Sequence, residues 1–193
     1  PPGEKQHYSS GNYHLLGLVI EAATNKPYHE VVRELIFQPL GMNNTFEASE
    51  EWKRGDYLHH YVGPLDLSAY HPSSEFADGG FVTTATDLVV FGLALANKSI
   101  FDRPDTYNAM IKPPKGSNPE NFIGLGIWVR KIDEEKLMLS HAGYFGIFFA
   151  IFPDENRVVA FSLAQSHANL DAFFKQIEPL LWQKSQITTD KRL

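Results

Sequence analysis

Apolar residues recur at three- and four-residue spacing over 13–24. There Tyr13, Leu15, Leu16, Leu18, Val19, Ile20 and Ala23 predict an amphipathic helix with Asn12 as its N-cap. Asn25-Lys26-Pro27 stops it. A second helix, about 28–37, is predicted to bury Val31, Val32, Leu35 and Ile36, with Pro39-Leu40-Gly41-Met42 as the closing turn. Residues 43–75 are polar and aromatic without clear periodicity. They predict a long loop, and long ordered loops in compact domains are often functional. Thr84-Ala85-Thr86-Asp87 reads as a capping box with Asp in the Glu position, and the helix behind it runs to about Asn97. A short helix around 104–111 follows, then the loop Pro113-Pro114-Lys115-Gly116-Ser117-Asn118-Pro119.

Beyond that loop the period drops toward two. Phe122–Val129, Lys136–Ser140, Phe145–Phe152 and Arg157–Leu163 read as strands joined by hairpin-like connections at 132–135 and 153–156. A closing helix, about 169–183, places Leu170, Phe173, Phe174, Ile177 and Leu181 on one face, ahead of a polar tail, 184–193. Helices, then an antiparallel β-meander, then a C-terminal helix make an α+β fold. No internal repeat or low-complexity tract interrupts it.

Composition narrows the function classes. The chain has 193 residues, 43% of them hydrophobic and 21% charged, enough for one domain with a core. Its net charge of -6 and scattered basic residues argue against nucleic acid as the main partner. No apolar run approaches the ~20 residues of a membrane span. Cysteine is absent, which excludes disulfides, thiol catalysis and thiolate metal sites. Pro1-Pro2-Gly3-Glu4-Lys5 is no signal peptide and reads as the middle of a longer protein.

Three segments carry candidate chemistry. Tyr8-Ser9-Ser10 stands at the entrance of the first helix. A tyrosine there acts as a base if nearby cations lower its pKa from about 10, or simply packs its ring and hydrogen-bonds its hydroxyl. Gly79-Gly80 is a tight turn into the capped helix or a place of close backbone approach. His141-Ala142-Gly143 lies at a strand start. His141 can move a proton or orient a ligand, Gly143 lets a backbone come close, and the N–H of Tyr144 is placed to stabilise an oxyanion. The plain alternative is a histidine hydrogen-bonded at a strand end. His59-His60 and His71 do not make a metal site, because adjacent histidines on an extended chain face opposite ways. Ser9 is not the serine of a Gly-x-Ser-x-Gly elbow, since no buried strand precedes it. No cofactor and no metal is expected.

Taken together and in this order, these segments resemble serine β-lactamase-like hydrolases, the family of class C β-lactamases, D-alanyl-D-alanine carboxypeptidases and related esterases with the penicillin-binding-protein fold. Pro2-Gly3-Glu4-Lys5 with Tyr8-Ser9-Ser10-Gly11-Asn12-Tyr13-His14-Leu15-Leu16-Gly17 is similar to the family's "PGE…YSN..Y.LLG". Ile36–Met42 resembles "IF.PLGM", Ala77–Leu88 resembles "A.GG..ST..DL", and Ser140–Gly146 resembles "GHGG…G", the His-x-Gly form of the Lys-Thr-Gly element. The likeness spans residues 2–183 and implies a β-lactamase/transpeptidase-like fold. It implies Tyr8 as general base, His141 as a substrate-orienting group on the opposite wall, Ser10, Gly143 and Tyr144 as substrate-binding positions, and acyl transfer through a serine ester. β-Lactams, D-amino-acid peptides and simple esters are all substrates of such sites. A periplasmic or secreted location follows from family habit alone.

Two departures stand out. Ser10 replaces the asparagine of Tyr-x-Asn and lacks the carboxamide's separate donor and acceptor, which bears on substrate-amide binding and lysine positioning. The larger departure is that no serine of the chain has lysine three residues on, so the Ser-x-x-Lys nucleophile element is missing. In the family that element precedes the tyrosine segment. The resemblance therefore implies a C-terminal portion (1–183) of one catalytic domain, inactive alone and reliant on the missing N-terminal segment. It also implies an unpaired sheet edge and hence self-association. The alternative is a non-catalytic relative that binds a peptide or cell-wall ligand.

Overall fold

The computed structural model describes residues 7–48, 58–70, 75–166 and 168–181. The Pro2–Lys5 part of the motif, His71, residues 182–183 of the predicted closing helix and the tail 184–193 lie outside the described residues.

Five strands form the antiparallel meander: β5 (Asn121–Ile123), β6 (Trp128–Lys131), β7 (Leu137–Ala142), β8 (Ile147–Phe152) and β9 (Arg157–Ser162), in the order β5-β6-β7-β8-β9. The predicted strand 122–129 is two strands. Gly126, at φ 82, turns the chain between them in a conformation that glycine adopts freely. Alternation assigns the two faces. Val129, Leu139 and Ile151 face one way, toward Leu95 and Ala96 of α5 (Ala85–Ala96). Met138, Phe148, Ala150 and Phe152 face the other way, toward Phe174 of α7 (Leu170–Leu181). Leu139 and Ile151 are fully buried, each stabilising the fold by about 1.5–3 kcal/mol. Helix α5 lies close because Gly92 faces Val158: a Cβ there would stand 2.7 Å from the valine methyl.

The remaining helices sit N-terminal to the sheet: α1 (Ser10–Thr24), α2 (Tyr28–Val32) running through a π-helical turn (Arg33–Phe37) into α3 (Gln38–Leu40), α4 (Phe76–Gly79) and α6 (Pro104–Met110). Short strands β1 (Phe46–Glu47) and β4 (Phe81–Val82) pair, as do β2 (Tyr61–Val62) and β3 (Leu65–Asp66), so the predicted loop 43–75 holds ordered structure among its described residues.

Three sequence expectations change. The first helix begins at Ser10 with Ser9, not Asn12, as N-cap. Its leucines are not core: Leu15, Leu16, Leu18 and Val19 are each more than half exposed. The stripe Tyr13, Gly17 and Ile20 packs instead, with Gly17 pressed 2.6 Å from the Phe76 ring if given a Cβ. In the second helix the π turn shifts the phase by a residue, which buries Phe37 and leaves Leu35 70% exposed. The capping box is half made. Thr84 accepts from the Asp87 N–H at 3.1 Å, while the buried Asp87 carboxylate holds the Thr45 hydroxyl at 2.7 Å and the Asn44 N–H at 2.9 Å.

Candidate active site

Tyr8 stands one residue before the N-cap of α1 and is 58% exposed, with Ser10 exposed in the first helical turn. His141 is near the end of β7, not at a strand start, and is half-buried opposite Phe149 of β8. The chain then reverses over Gly143–Gly146. The Gly143 N–H donates to Ile147 O at 2.8 Å and the Gly146 N–H to Gly143 O at 3.1 Å, which leaves the N–H of Tyr144 out of the turn's own bonding. Tyr144 is 65% exposed. A Cβ on Gly143 would meet only Ile147, at 3.6 Å, so its openness faces the exterior rather than another part of the fold. Gly146 is the glycine that the turn itself demands: it has φ 82 and lies against Gln165.

Asp78, on α4, is electrostatically linked to both walls. Burial pushes the Tyr13 phenol up, and the charges of Tyr8 and Asp78 push it further in the same direction. Burial lowers His141 below the usual histidine value, while a hydrogen bond with the Ala142 backbone and the charge of Asp78 oppose that shift. His141 is therefore neutral at pH 7, able to donate through one ring nitrogen and accept through the other. The charge of Asp78 thus bears on both Tyr13 of α1 and His141 of β7, which are far apart in sequence.

Beside this group lies a cavity of about 1030 Å³, lined by Phe46, Leu58, His60, Tyr70, Gly80 and Phe145 among others. Neither Tyr8 nor His141 is among its lining residues, so the open volume does not include the two side chains that the sequence singles out. Gly79 and Gly80 form its floor with unequal demands. Nothing lies within 4 Å of a Cβ at Gly79, whereas one at Gly80 would stand 2.6 Å from Phe76 O and 2.9 Å from Glu47 Oε1. Glu47 is 2% exposed, and after burial itself its charge is what raises the phenol of Tyr28. The hairpin β2–β3 is held against the chain that follows β9. The Tyr61 N–H donates to Ala164 O and the Ser166 N–H to Tyr61 O, both at 2.9 Å. His59 and His60 diverge: His59 Nδ1 meets Asp66 at 2.7 Å, and His60 packs on Phe145. Among the described residues no group of three or more His, Cys, Asp or Glu could hold a metal ion.

Sequence reasoning missed Tyr13, Asp78 and Glu47. Tyr13 carried a signal, as the aromatic position of the first motif. Asp78 and Glu47 gain meaning only from the packing of α4 and β1.

The family model described as Beta-lactamase matches residues 1–177. Penicillin-binding protein 4* of Bacillus subtilis (strain 168) is 26% identical over an alignment of 159 residues that covers 74% of this chain and 35% of that protein. The penicillin binding protein from Bacillus halodurans superposes with a TM-score of 0.76 at 22% identity, covering 93% of this chain and 58% of that one. A D-stereospecific amidohydrolase from Streptomyces sp. does so with a TM-score of 0.76 at 23% identity, covering 92% and 55%. The chain spans about a third of the Bacillus subtilis relative and just over half of the two solved chains.

Proposed function

The chain belongs to the beta-lactamase family, and on that premise we propose that it supplies the base-and-oxyanion half of a serine hydrolase that acts by acyl transfer on an amide or ester. Its substrates are of the β-lactam, D-amino-acid peptide or ester kind. The observation that carries this reading is the family match over residues 1–177, which aligns with an exposed Tyr8 at the entrance of α1 and with His141 beside the turn after β7.

In this reading a serine held in a Ser-x-x-Lys turn, outside this sequence, attacks the substrate carbonyl. Tyr8 takes the serine proton and returns one to the leaving group. The lysine of the same turn supplies the cation that a tyrosine base requires. The Tyr144 N–H supports the developing oxyanion. Neutral His141 orients the substrate from the facing wall, near Gly143. Water then attacks the serine ester, again with Tyr8 as the proton acceptor.

This chain alone is then catalytically inactive. Exposure to a fluorophosphonate or penicillin probe followed by intact-mass measurement tests the point, and a stoichiometric adduct on the isolated chain overturns it. Ser10 in place of the motif's asparagine favours a second reading, a non-catalytic ligand binder. Absence of Ser-x-x-Lys from the full coding sequence would decide for that reading.

A further inference from the structure

The cavity of about 1030 Å³ is lined mainly by apolar surface, to which Phe46, Phe81, Val82, Phe145 and Ile147 contribute. Small-molecule sites usually enclose roughly 300–1,000 Å³ with this kind of lining. The walls are held in place by the fold itself. Phe46 and Val82 are partners in the β1–β4 pair, and the Phe81 ring stands edge-on to Phe37 at 5.3 Å. Phe145 is fixed against His60 and meets Tyr144 edge-on at 5.2 Å. Ile147 is paired with Ser162 across β8 and β9. Charge is scarce in this space. Among the described residues no lysine or arginine lines it, and Glu75 is the one carboxylate that does. Its Oε1 accepts from the Tyr70 hydroxyl at 3.0 Å. An anionic group entering here would lose its hydration and meet no cation.

The turn after β7 links this space to the candidate chemistry. Phe145 follows Tyr144 directly, so their Cα atoms are about 3.8 Å apart. The Tyr144 N–H stays out of the turn's own bonding, while the next side chain forms cavity wall. A carbonyl held at that N–H therefore stands one residue from the cavity. Gly79 adds room, since it lines the cavity and has nothing within 4 Å of its side-chain position.

We propose that the cavity is the pocket for the acyl-side substituent of the substrate, and that it takes an uncharged aromatic side chain. The rings of Phe46, Phe81 and Phe145 offer the edges and faces that a further ring packs against. That the ring belongs to a substrate rests on the acyl-transfer reading; the preference of the cavity for an uncharged ring does not.

The test compares three probes on this chain by NMR shifts of the Val82, Phe145 and Ile147 amides: hydrocinnamamide, propionamide, and hydrocinnamamide carrying a para-carboxylate on its ring. Hydrocinnamamide is expected to bind at least tenfold more tightly than either of the others, in keeping with burial of one uncharged phenyl ring. Gly79→Leu, which fills the open floor, should abolish the preference. Equal binding of the three probes, including no shift from any at tens of millimolar, overturns the proposal. So does a preference that survives Gly79→Leu. The comparison on the unsubstituted chain stands even if the variant folds poorly. The same shifts are expected in the product of the full gene. Shifts confined to the shorter chain would mean that other parts of the polypeptide fill the cavity, and would overturn the proposal. In the full product, kcat/KM for para-nitrophenyl hydrocinnamate should exceed that for para-nitrophenyl acetate at least tenfold, and a ratio near one contradicts the acyl-side assignment. Turnover of neither ester, with the aromatic preference intact, would sink the hydrolase reading and leave the aromatic pocket standing.

Discussion

The ring of His60 lies 4.1 Å from that of Phe145, centroid to centroid, and so ties the hairpin β2–β3 to the turn that follows His141. Burial there lowers the His60 pKa below the ordinary histidine value, against the pull of Asp66. Phe145→Ala removes the cover. The His60 titration midpoint, followed by NMR, is expected to rise toward about 6.5. An unchanged midpoint would mean that the hairpin is buried by something other than this contact.

His141 is expected to titrate below the usual histidine range, because burial outweighs its hydrogen bond with Ala142 and the charge of Asp78. Asp78→Asn removes an influence that raises the value, so the midpoint should fall further. The linkage has a definite sign. Unfolded histidine takes up its proton near pH 6.5 and folded His141 at lower pH, so the unfolded chain binds more protons between the two. The stability due to His141 is therefore full above about pH 6.5 and is lost as pH falls through the folded value. Urea titrations across that window check it, and greater stability at the acid end would contradict it.

The two cavity glycines should respond unequally to alanine. Gly80→Ala drives a methyl to 2.6 Å from a backbone carbonyl and should cost roughly 1–3 kcal/mol in urea unfolding. Gly79→Ala meets nothing within 4 Å at the end of α4 and should be neutral or slightly stabilising. Equal losses would show that the cavity floor is not packed as described.

Leu15 and Val19 lie four apart on α1, 64% and 60% exposed, on a face with no partner among the described residues. Strand β9 pairs only with β8 among the same residues. An apolar helix face and an open sheet edge both invite association. Sedimentation should show concentration-dependent assembly, and Leu15→Glu with Val19→Glu should reduce it while changing stability by no more than about 0.5 kcal/mol. A monomer at every concentration would contradict this.

The meander and the His141 turn were legible in sequence because short apolar runs between Leu137 and Ser162, the polar stretch Asp154-Glu155-Asn156 and the break at His141–Gly143 are local signals. Gly124–Gly126, which splits one predicted strand into two, was masked by the apolar residues on either side. The α1 leucines misled for a different reason. Periodicity reports that a face is apolar but not which neighbour meets it, and here the smaller stripe at Tyr13 and Gly17 meets α4. Asp78 sat inside a glycine motif and looked like a turn residue. Its buried oxygen and its charge on Tyr13 and His141 exist only once α4 is docked. Glu47, in a two-residue strand, gave no signal until Gly80 closed over it.

By the proposal above, this chain carries the base and the oxyanion donor of an acyl-transfer site whose nucleophile lies elsewhere. Intact-mass spectrometry after fluorophosphonate exposure tests it most directly, run on this chain and on the product of the full gene. No adduct is expected on residues 1–193 alone. One adduct per polypeptide is expected on a Ser-x-x-Lys serine in the full product, formed at least tenfold more slowly with Tyr8→Phe, in keeping with the usual worth of a general base. A stoichiometric adduct on a serine of this chain, or no adduct on the full product, would contradict it.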